Sequence, residues 1–375
     1  MVKRFSISRK IIIWIVICAL SALIALTLFI IRGSIEKKQL SQQMAQRWSD
    51  TGDVAQISCF FSREQMVTEN QLIAFEYALD DKLKESSITV PEDKPDARLW
   101  QDAYSASANL SVSTDRASLY LKAIGVGGEF FQFHPQELRY GYYFSDRYLN
   151  KDYVVIDEEI AWQLFGGINV AGKFINVNGE PCMISGVIKR PQGKLEKAAG
   201  EGEPIIYVSM ETLKKQNPEV IIDHYEIVMP NPIKDFAMDL VKDKLSVDAK
   251  KTEYIENTNR FSVLSSLKLL KQFGTRSMNT YGIIYPYWEN LAKGYEDILA
   301  LLTVFMLLFF AVPALTILIY LIFRWKHKKW TFRSIWQKLM ERFERWKEKL
   351  REKKKPKDKK PIMITFDEEE NDEKE

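Results

Sequence analysis

Two long apolar runs dominate the pattern of hydrophobic and polar positions along this chain of 375 residues. Residues 11–31 form an uncharged run of 21 positions, and residues 298–323 form a second run of 26. A helix rises about 1.5 Å per residue, so either run can cross the hydrocarbon core of a bilayer, which is about 30 Å thick. The pattern therefore predicts transmembrane helix 1 at residues 11–31 and transmembrane helix 2 at residues 298–323.

The segment between the two runs alternates short β-like and helical patterns, most clearly at residues 153–188. Val-Val-Ile at 154–156 predicts a buried strand, and Asp157 can cap a helix whose apolar face recurs at helical spacing. Gly166-Gly167 would end that helix. Two β-rich stretches then flank Asn178-Gly179, a pair that suits a two-residue type I′ turn because both positions need a positive φ. This strand, helix and hairpin form a compact α+β unit.

Further helical patterns flank this unit. A helix from Glu69 carries an apolar face that would pack on a sheet, and helices are predicted to begin at Asn231-Pro232 and at Ser262. Residues 35–48 and 288–297 are predicted to be helices that continue from the two apolar runs. Residues 191–204, rich in Gly, Lys and Glu, are expected to form a mobile exposed loop.

Charge adds an orientation to this picture. Basic side chains flank both runs on the sides that face the chain ends: Lys3, Arg4, Arg9 and Lys10 before the first run, and Arg324, Lys326, Lys328 and Lys329 after the second. Residues 33–323 instead carry eight more acidic than basic side chains. Because basic flanks stay in the cytoplasm, both termini are predicted inside and the middle segment outside the plasma membrane. The first run is longer than the apolar part of a secretory signal, which favours a retained anchor.

The segment after the second run is predicted to be a basic amphipathic helix. Its apolar stripe includes four large aromatic residues, with basic residues lying off the stripe: Phe332, Trp336, Phe343 and Trp346, and Lys338, Arg342 and Arg345. Such a helix suits either the anionic inner leaflet of the membrane or the surface of a partner protein, and the pattern favours neither strongly. The charged blocks that follow are typical of disordered tails.

Candidate chemistry is sparse. The sequence has no complete P-loop, no His-Glu-x-x-His, no Cys-x-x-Cys and no Gly-x-Ser-x-Gly. Its three histidines, His134, His224 and His327, are scattered along the chain, which does not favour a zinc site. Cys59 and Cys182 could pair outside the cell, although buried free thiols are common. We therefore predict no enzymatic activity, no catalytic residues, no cofactor, no metal ion and no nucleic-acid partner.

One set of short motifs follows a known order. The motifs are Gly125-Val126, Phe130-Phe131, Gly141, the 154–156 strand, Leu164-Phe165-Gly166, Gly172-Lys173 and Gly186-Val187. In this order, and between two spans, they resemble the MacB-like periplasmic core domain of ABC-type permeases of the MacB/FtsX class. The resemblance is close over residues 119–189 and looser over the rest of the segment between the spans. It implies that these motif residues have structural roles.

The resemblance also implies a function. Such permeases work with a cytoplasmic ATPase subunit, often as dimers, and pass ATP-driven movement of the spans to the outer domain. Residues 35–48 and 262–297 would then be the levers, and the outer domain would engage a substrate, a lipid or a partner protein. The family's permeases normally have four spans, whereas two are predicted here. An accessory subunit of a fuller permease, or a membrane-anchored scaffold or sensor that does not transport, are therefore the alternatives.

The predicted fold class is α+β, with a mixed α/β core domain outside the membrane, between two transmembrane helices. The predicted segments are a cytoplasmic N-terminus at 1–10, helix 1 at 11–31, the core domain with stalk helices at 32–297, helix 2 at 298–323, a basic amphipathic cytoplasmic helix at 324–355 and a charged tail at 356–375.

Overall fold

The computed structural model describes residues 8–49, 52–90, 97–191, 193–272, 282–327, 336 and 340–347. The chain divides into two units, Met1–Phe310 and Ala311–Glu375. The first unit contains the sheet and the helices that pack on it. In the second, residues 340–347 are helical, and the side chains of Met340, Phe343 and Trp346 are exposed.

Ten strands of the described chain form one mixed sheet in the order β10-β1-β9-β2-β3-β8-β5-β7-β4, with β6 pairing to β2 and β7. The strands are β1 Val54–Phe61, β2 Gln101–Ser113, β3 Ser118–Gly128, β4 Glu137–Gly141, β5 Tyr153–Asp157, β6 Phe174–Val177, β7 Glu180–Lys189, β8 Ile205–Ser209, β9 His224–Pro230 and β10 Thr252–Glu256. The β3–β8 and β5–β7 pairs are parallel and the other pairs antiparallel. With its helices this is the predicted α+β class.

The helices differ widely in length. They are α1 Arg9–Glu36, α2 Met44–Trp48, α3 Glu69–Glu85, α4 Phe130–Phe133, α5 Glu158–Phe165, α6 Lys194–Glu196, α7 Met210–Gln216, α8 Phe236–Lys244, α9 Val263–Leu270 and α10 Tyr287–His327. Helix α1 and residues Tyr287–Lys326 of α10 are long and apolar enough to cross a membrane. The two helices touch, because the Ser21 hydroxyl donates to the carbonyl oxygen of Phe309 at 2.7 Å.

One face of the sheet packs against α3, α5, α7 and α8, and we call it the helix-covered face. Its core is apolar, with side chains from alternate strand positions meeting the buried stripe of each helix. Helix α3 buries Leu72, Phe75, Leu79 and Leu83, which confirms the predicted helix and its apolar face. This face contains the largest buried apolar cluster of the described residues and supplies most of the hydrophobic stabilisation.

The opposite face packs against α2, α4 and the first turn of α10, and we call it the stalk face. Phe130 and Phe133 of α4, Met44 of α2 and Trp288 of α10 are buried there against the sheet. Two of these three segments continue the chain toward the apolar helices: α2 follows α1, and the first turn of α10 leads into its apolar part. The sheet is therefore in direct contact with the chain that leads to the predicted spans.

The predicted strand, helix and hairpin of residues 153–188 are confirmed. The Asp157 carboxylate accepts from the backbone N–H groups of Glu159 and Ile160 at the start of α5, and Gly166 ends the helix with a φ of 71°. Asn178 and Gly179 have φ values of 47° and 92°, as a type I′ turn requires.

Several local predictions are wrong. Residues 35–48 are not one helix, because α1 ends at Glu36 and a 3₁₀ turn at Leu40–Gln42 precedes α2. Helix α8 begins at Phe236 rather than at Asn231-Pro232, which leaves Ile233 67% exposed. Helix α9 does begin after Ser262, but its apolar side chains are not in the core, and Leu264 is 72% exposed. Its predicted end at residue 274 lies outside the described residues.

The loop at 191–204 also differs from its prediction. It contains α6 and a π-type turn at Lys197–Glu201, and Ala199 is buried. The Asn290 side-chain amide donates to the carbonyl oxygen of Ala199 at 3.3 Å, and the Tyr295 hydroxyl donates to Glu196 at 3.0 Å. The described part of this loop therefore packs on the first turns of α10, although Lys194 and Lys197 remain exposed.

Candidate coupling site on the stalk face

Buried polar side chains lie at alternate positions of β1 and β9. Gln56 and Ser58 on β1, and His224 and Glu226 on β9, point to the stalk face, while their apolar neighbours point to the helix-covered face. Ser58 and Glu226 are direct partners in the antiparallel register, so their side chains meet. Buried polar groups are normally hydrogen-bonded, and these four begin a network that extends away from the sheet.

Glu226 is the centre of this part of the network. Its Oε1 accepts hydrogen bonds from Ser58 Oγ and, at 3.4 Å, from Gln56 Nε2. Its Oε2 lies 3.0 Å from Nε2 of His134, and Nε2 of His224 lies 3.8 Å from its Oε1. Burial raises the pKa of Glu226, but the facing imidazoles of His134 and His224 lower it by a larger amount. The pKa of this carboxylate is therefore well below its usual range.

Asn257 and Arg260, which follow β10, carry the network toward α10. Asn257 Nδ2 donates to Ser58 Oγ at 2.6 Å, and Arg260 Nη1 donates to Asn257 Oδ1 at 3.0 Å. Arg260 also binds Glu289 through both terminal nitrogens, at 2.7 and 2.6 Å, and its Nε donates to Glu296 at 2.7 Å. Burial lowers the pKa of Arg260, but these two carboxylates raise it more, so the guanidinium stays charged.

Arg32, near the end of α1, completes the connection. Its side chain is 4% exposed, and Nε donates to the Thr303 hydroxyl of α10 at 3.1 Å. Its Nη2 donates to the carbonyl oxygen of Phe261 and, at 3.4 Å, to Ser266 Oγ. The guanidinium of Arg32 thus connects α1 by hydrogen bonds to α10, to the segment that joins β10 to α9, and to α9 itself. Because Phe261 follows Arg260 directly, both arginines anchor the same short stretch of chain.

The residues of the family motifs have different positions. Phe130 and Phe131 are in the stalk-face core, and Phe131 stacks on Tyr143 with ring centroids 4.5 Å apart. A Cβ at Gly125 would lie 2.5 Å from Leu213, and one at Gly186 would lie 2.7 Å from the Tyr142 carbonyl oxygen. Gly125 thus leaves room for the Leu213 side chain and Gly186 for the backbone at Tyr142, and the two glycines do not meet at a common site.

The remaining predicted residues are also accounted for. Gly141 and Gly172 have positive φ values of 76° and 85°, and Lys173 lies over the Phe165 ring at 5.2 Å. Val126, Leu164 and Val187 are buried apolar residues. In the tail, Trp336, Arg342, Phe343, Arg345 and Trp346 are helical and exposed. Phe332 and Lys338 lie outside the described residues. Cys59 and Cys182, the two cysteines that could have paired, are buried free thiols.

The sequence prediction missed the network residues. His134, His224, Arg32, Arg260 and Glu289 match no motif, and their spacing along the chain is irregular. One signal was available: Gln56, Ser58 and Glu226 interrupt otherwise apolar strands. Polar residues on buried strands need partners, and this points to a polar cluster on one face of the sheet.

Comparison with known proteins identifies the class of this fold. The family model of the MacB-like periplasmic core domain matches residues 15–249. The chain belongs to that family. Comparison with curated proteins gives no match. The family supports a transporter permease component and implies a membrane context and an ATPase partner.

Solved structures with similar folds have low sequence identity to this chain. The extracellular domain of the noncanonic ABC-type transporter YknZ from Gram-positive bacteria is 16% identical, with a TM-score of 0.37, over 53% of this chain and 99% of that one. The periplasmic region of MacB from Actinobacillus actinomycetemcomitans is 14% identical, with a TM-score of 0.39, over 59% and 93%. A domain of a putative permease from Porphyromonas gingivalis is 13% identical, with a TM-score of 0.31, over 54% and 89%.

Proposed function

We propose that this protein is the membrane component of an ABC-type system that transmits movement between its two apolar helices and its sheet domain, where the domain engages a substrate or partner. The observation that carries this proposal is the buried network from Glu226 through Asn257 and Arg260 to Glu289. It joins the sheet to α10 by charged side chains, and Arg32 adds α1. A homodimer or a fuller permease would supply further spans.

Charged side chains suit this task because their contacts are directional. A shift of α10 moves Glu289 and Glu296 relative to Arg260, and the three side chains must either move together or separate in a poorly solvated place. Separating buried charges costs several kcal/mol, on the order of 3–5 for the loss of one partner. The packed connection therefore resists independent movement of the helix and the sheet.

Co-purification tests whether an ATPase subunit binds this chain. The full-length chain, with a C-terminal affinity tag, should bring down an ATPase subunit from its native membranes. Spin labels at Lys38, beyond α1, and at Tyr120, an exposed residue of β3, should then report an ATP-dependent change in distance. Arg260→Gln should keep the ATPase bound and reduce this change. Lys82→Gln, which breaks an exposed ion pair with Glu85, is the control.

The same experiment distinguishes the alternatives. A membrane-anchored scaffold or sensor predicts neither a co-purifying ATPase nor a response of the labels to ATP. An accessory subunit predicts that a second, larger permease chain co-purifies with the ATPase. If the label distance in the unaltered chain ignores ATP while the ATPase is bound, the transmission proposal is wrong.

We also propose that both termini are cytoplasmic. A cysteine at Lys194, an exposed position of the 191–204 loop, should react with an impermeant thiol reagent on intact cells. A cysteine at Lys355, outside the described residues, should react only after the membrane is permeabilised. Reaction at Lys355 in intact cells would overturn this orientation.

For the tail, we propose that the basic helix lies on the anionic inner leaflet. Trp336 is 62% and Trp346 57% exposed, and each basic residue near an anionic surface contributes about 1 kcal/mol. A peptide of residues 330–355 should bind anionic vesicles, lose affinity steeply with salt, and not bind neutral vesicles. Docking on a partner protein instead predicts that Trp336→Ala with Trp346→Ala releases that protein, without charge-selective vesicle binding.

A further inference from the structure

Three buried side chains with metal-binding atoms converge where α4, β9 and α10 meet. His134 directly follows α4, and His224 and Glu226 lie on β9. Each is at most 1% exposed. One potential ligand atom from each side chain can be chosen such that all three lie within 4.8 Å of one another.

The distances between these side chains can be compared with those of a zinc site. Nitrogen and oxygen ligands bind zinc at about 2.0–2.2 Å, which puts two ligand atoms of a tetrahedral site about 3.3 Å apart. Nε2 of His134 is 3.0 Å from Oε2 of Glu226, slightly less than the tetrahedral separation. Nε2 of His224 lies 3.8 Å from the other oxygen of that carboxylate, Oε1, so a small shift of this ring would complete the set of three ligand atoms.

The hydrogen bonding of the three side chains is incomplete in a way that points to a ligand. Within the described part of the chain, both ring nitrogens of His134, Nε2 of His224 and Oε2 of Glu226 are buried without an aligned hydrogen-bond partner. The close approach of His134 to Glu226 is therefore a contact that lacks hydrogen-bond geometry. Buried polar atoms rarely remain unpaired, so several in one place require an explanation.

On His224 and Glu226, the atoms that would not bind the metal are held by other groups. Nδ1 of His224 lies 3.4 Å from the Ser105 hydroxyl, and Oε1 of Glu226 accepts from Ser58. This arrangement leaves Nε2 of His224 and Oε2 of Glu226 available for a ligand. Partners on the far side of ligating side chains are a general feature of metal sites, because they fix the orientation of each ligand.

We propose that His134, His224 and Glu226 bind one divalent transition metal ion, with Zn²⁺ as the expected occupant. Two imidazoles and one carboxylate suit zinc, whereas Ca²⁺ and Mg²⁺ prefer oxygen ligands alone. Cu²⁺ and Ni²⁺ accept the same donors and are expected to compete. The three protein ligands leave a fourth tetrahedral position for a water molecule. This site does not depend on the transport function proposed above.

The position of the site gives the metal a structural role. The Trp288 ring of α10 covers both imidazoles, at centroid distances of 4.3 Å from His134 and 5.2 Å from His224. Phe130 also packs on the His134 ring, and Phe60 stacks on the His224 ring. A bound ion would join the segment after α4 to β9 directly beneath the first turn of α10, and so stabilise the stalk face.

Metal analysis of the full-length protein in detergent tests the proposal. The chain carries a streptavidin-binding tag rather than a polyhistidine tag, is produced with added zinc, and is passed through metal-free buffer before elemental analysis. We expect stoichiometric zinc in the unaltered chain and its loss in His224→Gln and Glu226→Gln. His327→Gln is the matched control, because His327 is the third histidine of the chain and lies at the end of α10.

Two results would overturn the proposal: an unaltered chain without zinc, or zinc that persists in His224→Gln. If the variants do not fold, Co²⁺ binding to the unaltered chain still tests the proposal. A chain produced with cobalt should show the visible absorption of four-coordinate Co²⁺, and Zn²⁺ should displace it. Absence of that absorption, or the spectrum of six-coordinate Co²⁺ on surface carboxylates, contradicts the site.

Discussion

The two faces of the sheet are covered by different parts of the chain and stabilised by different interactions. On the helix-covered face, α3, α5, α7 and α8 bury mainly aliphatic and aromatic side chains. On the stalk face, α2, α4 and α10 bury aromatic rings together with His134, Glu226, Arg260 and Glu289. Strands β1 and β9 contribute to both faces: apolar residues alone to the helix-covered face, and polar residues together with Phe60 and Val228 to the stalk face.

The two kinds of contact suit two different roles: stabilising the domain, and the proposed coupling of the domain to α1 and α10. Apolar contacts are not directional, so a core made of them tolerates small shifts and stabilises in proportion to the area buried. Buried ion pairs add little net stability, but they are costly to break and they fix geometry. We infer that the helix-covered face holds the domain together, and that the stalk face makes its position depend on α1 and α10.

The largest expected effect is at Arg260. Arg260→Gln removes the cation paired with the buried carboxylate of Glu289 and the half-buried carboxylate of Glu296, and should lower the free energy of unfolding by about 3–5 kcal/mol. Denaturant unfolding of the full-length protein in detergent measures this. Lys82→Gln removes an exposed ion pair and should change the same quantity by less than about 1 kcal/mol. Equal effects of the two substitutions would mean that the network contributes no more than a surface pair.

Leu79→Ala tests the other face. Leu79 is fully buried on α3, and the cavity left by this change should cost about 2–5 kcal/mol. Unlike Arg260→Gln, it should leave the ATP-dependent distance between labels at Lys38 and Tyr120 unchanged at a temperature where the variant is folded. A lost ATP response in folded Leu79→Ala would contradict the division of roles between the faces.

A titrating group on the helix-covered face gives a smaller, pH-dependent effect. Asp102 of β2 faces the same side as its partner Ile227. Burial and the nearby Glu76 carboxylate raise the pKa of Asp102 to about 7. A carboxyl with a raised folded pKa binds its proton more tightly when folded, so the stability is full below the unfolded pKa of about 4 and falls as pH rises to about 7.

Asp102→Asn removes this pH dependence. The variant should gain stability relative to the unaltered chain as pH rises from 4 to 8, by at most about 4 kcal/mol. Chemical unfolding at both pH values measures the gain, and Asp81→Asn controls for the loss of a carboxylate from the exposed side of α3. If the curves for Asp102→Asn and the unaltered chain run parallel, Asp102 does not titrate in this range.

Local patterns predicted much of the helix-covered face. The apolar stripe of α3, the Asp157 cap, the end of α5 at Gly166 and the Asn178-Gly179 turn each depend on residues a few positions apart. Such features are encoded by spacing and by backbone preference. The predicted start at Asn231 failed because the Asn231 side chain instead accepts from the Ala237 backbone N–H, six residues on.

The stalk face could not be predicted in the same way. Arg32 and Thr303 are 271 positions apart, and Gln56 and Glu226 are 170 apart. Only the order of strands in the sheet brings these residues together, and no local pattern encodes that order. The 191–204 loop was misjudged for the same reason, since its composition resembles an exposed loop while its neighbour α10 lies far along the chain. The sequence revealed the fold class and the apolar helices, but not the site.

The smallest expected effect is at the Asn178-Gly179 turn of the β6–β7 hairpin, whose buried side chains belong to the helix-covered face. Gly179 has a φ of 92°, and a Cβ added there would meet nothing within 4 Å, so the cost of Gly179→Val comes from the backbone alone. A β-branched residue held at this φ is strained by about 1–3 kcal/mol.

Gly167→Val is a matched control, because Gly167 also has open space around it and its φ is not in the left-handed region. Thermal unfolding should show a lower melting temperature for Gly179→Val than for Gly167→Val, with the ATPase still bound in both. Equal melting temperatures would show that the turn relaxes without strain, whereas loss of the ATPase from Gly179→Val would mean that coupling extends beyond the stalk face to the hairpin.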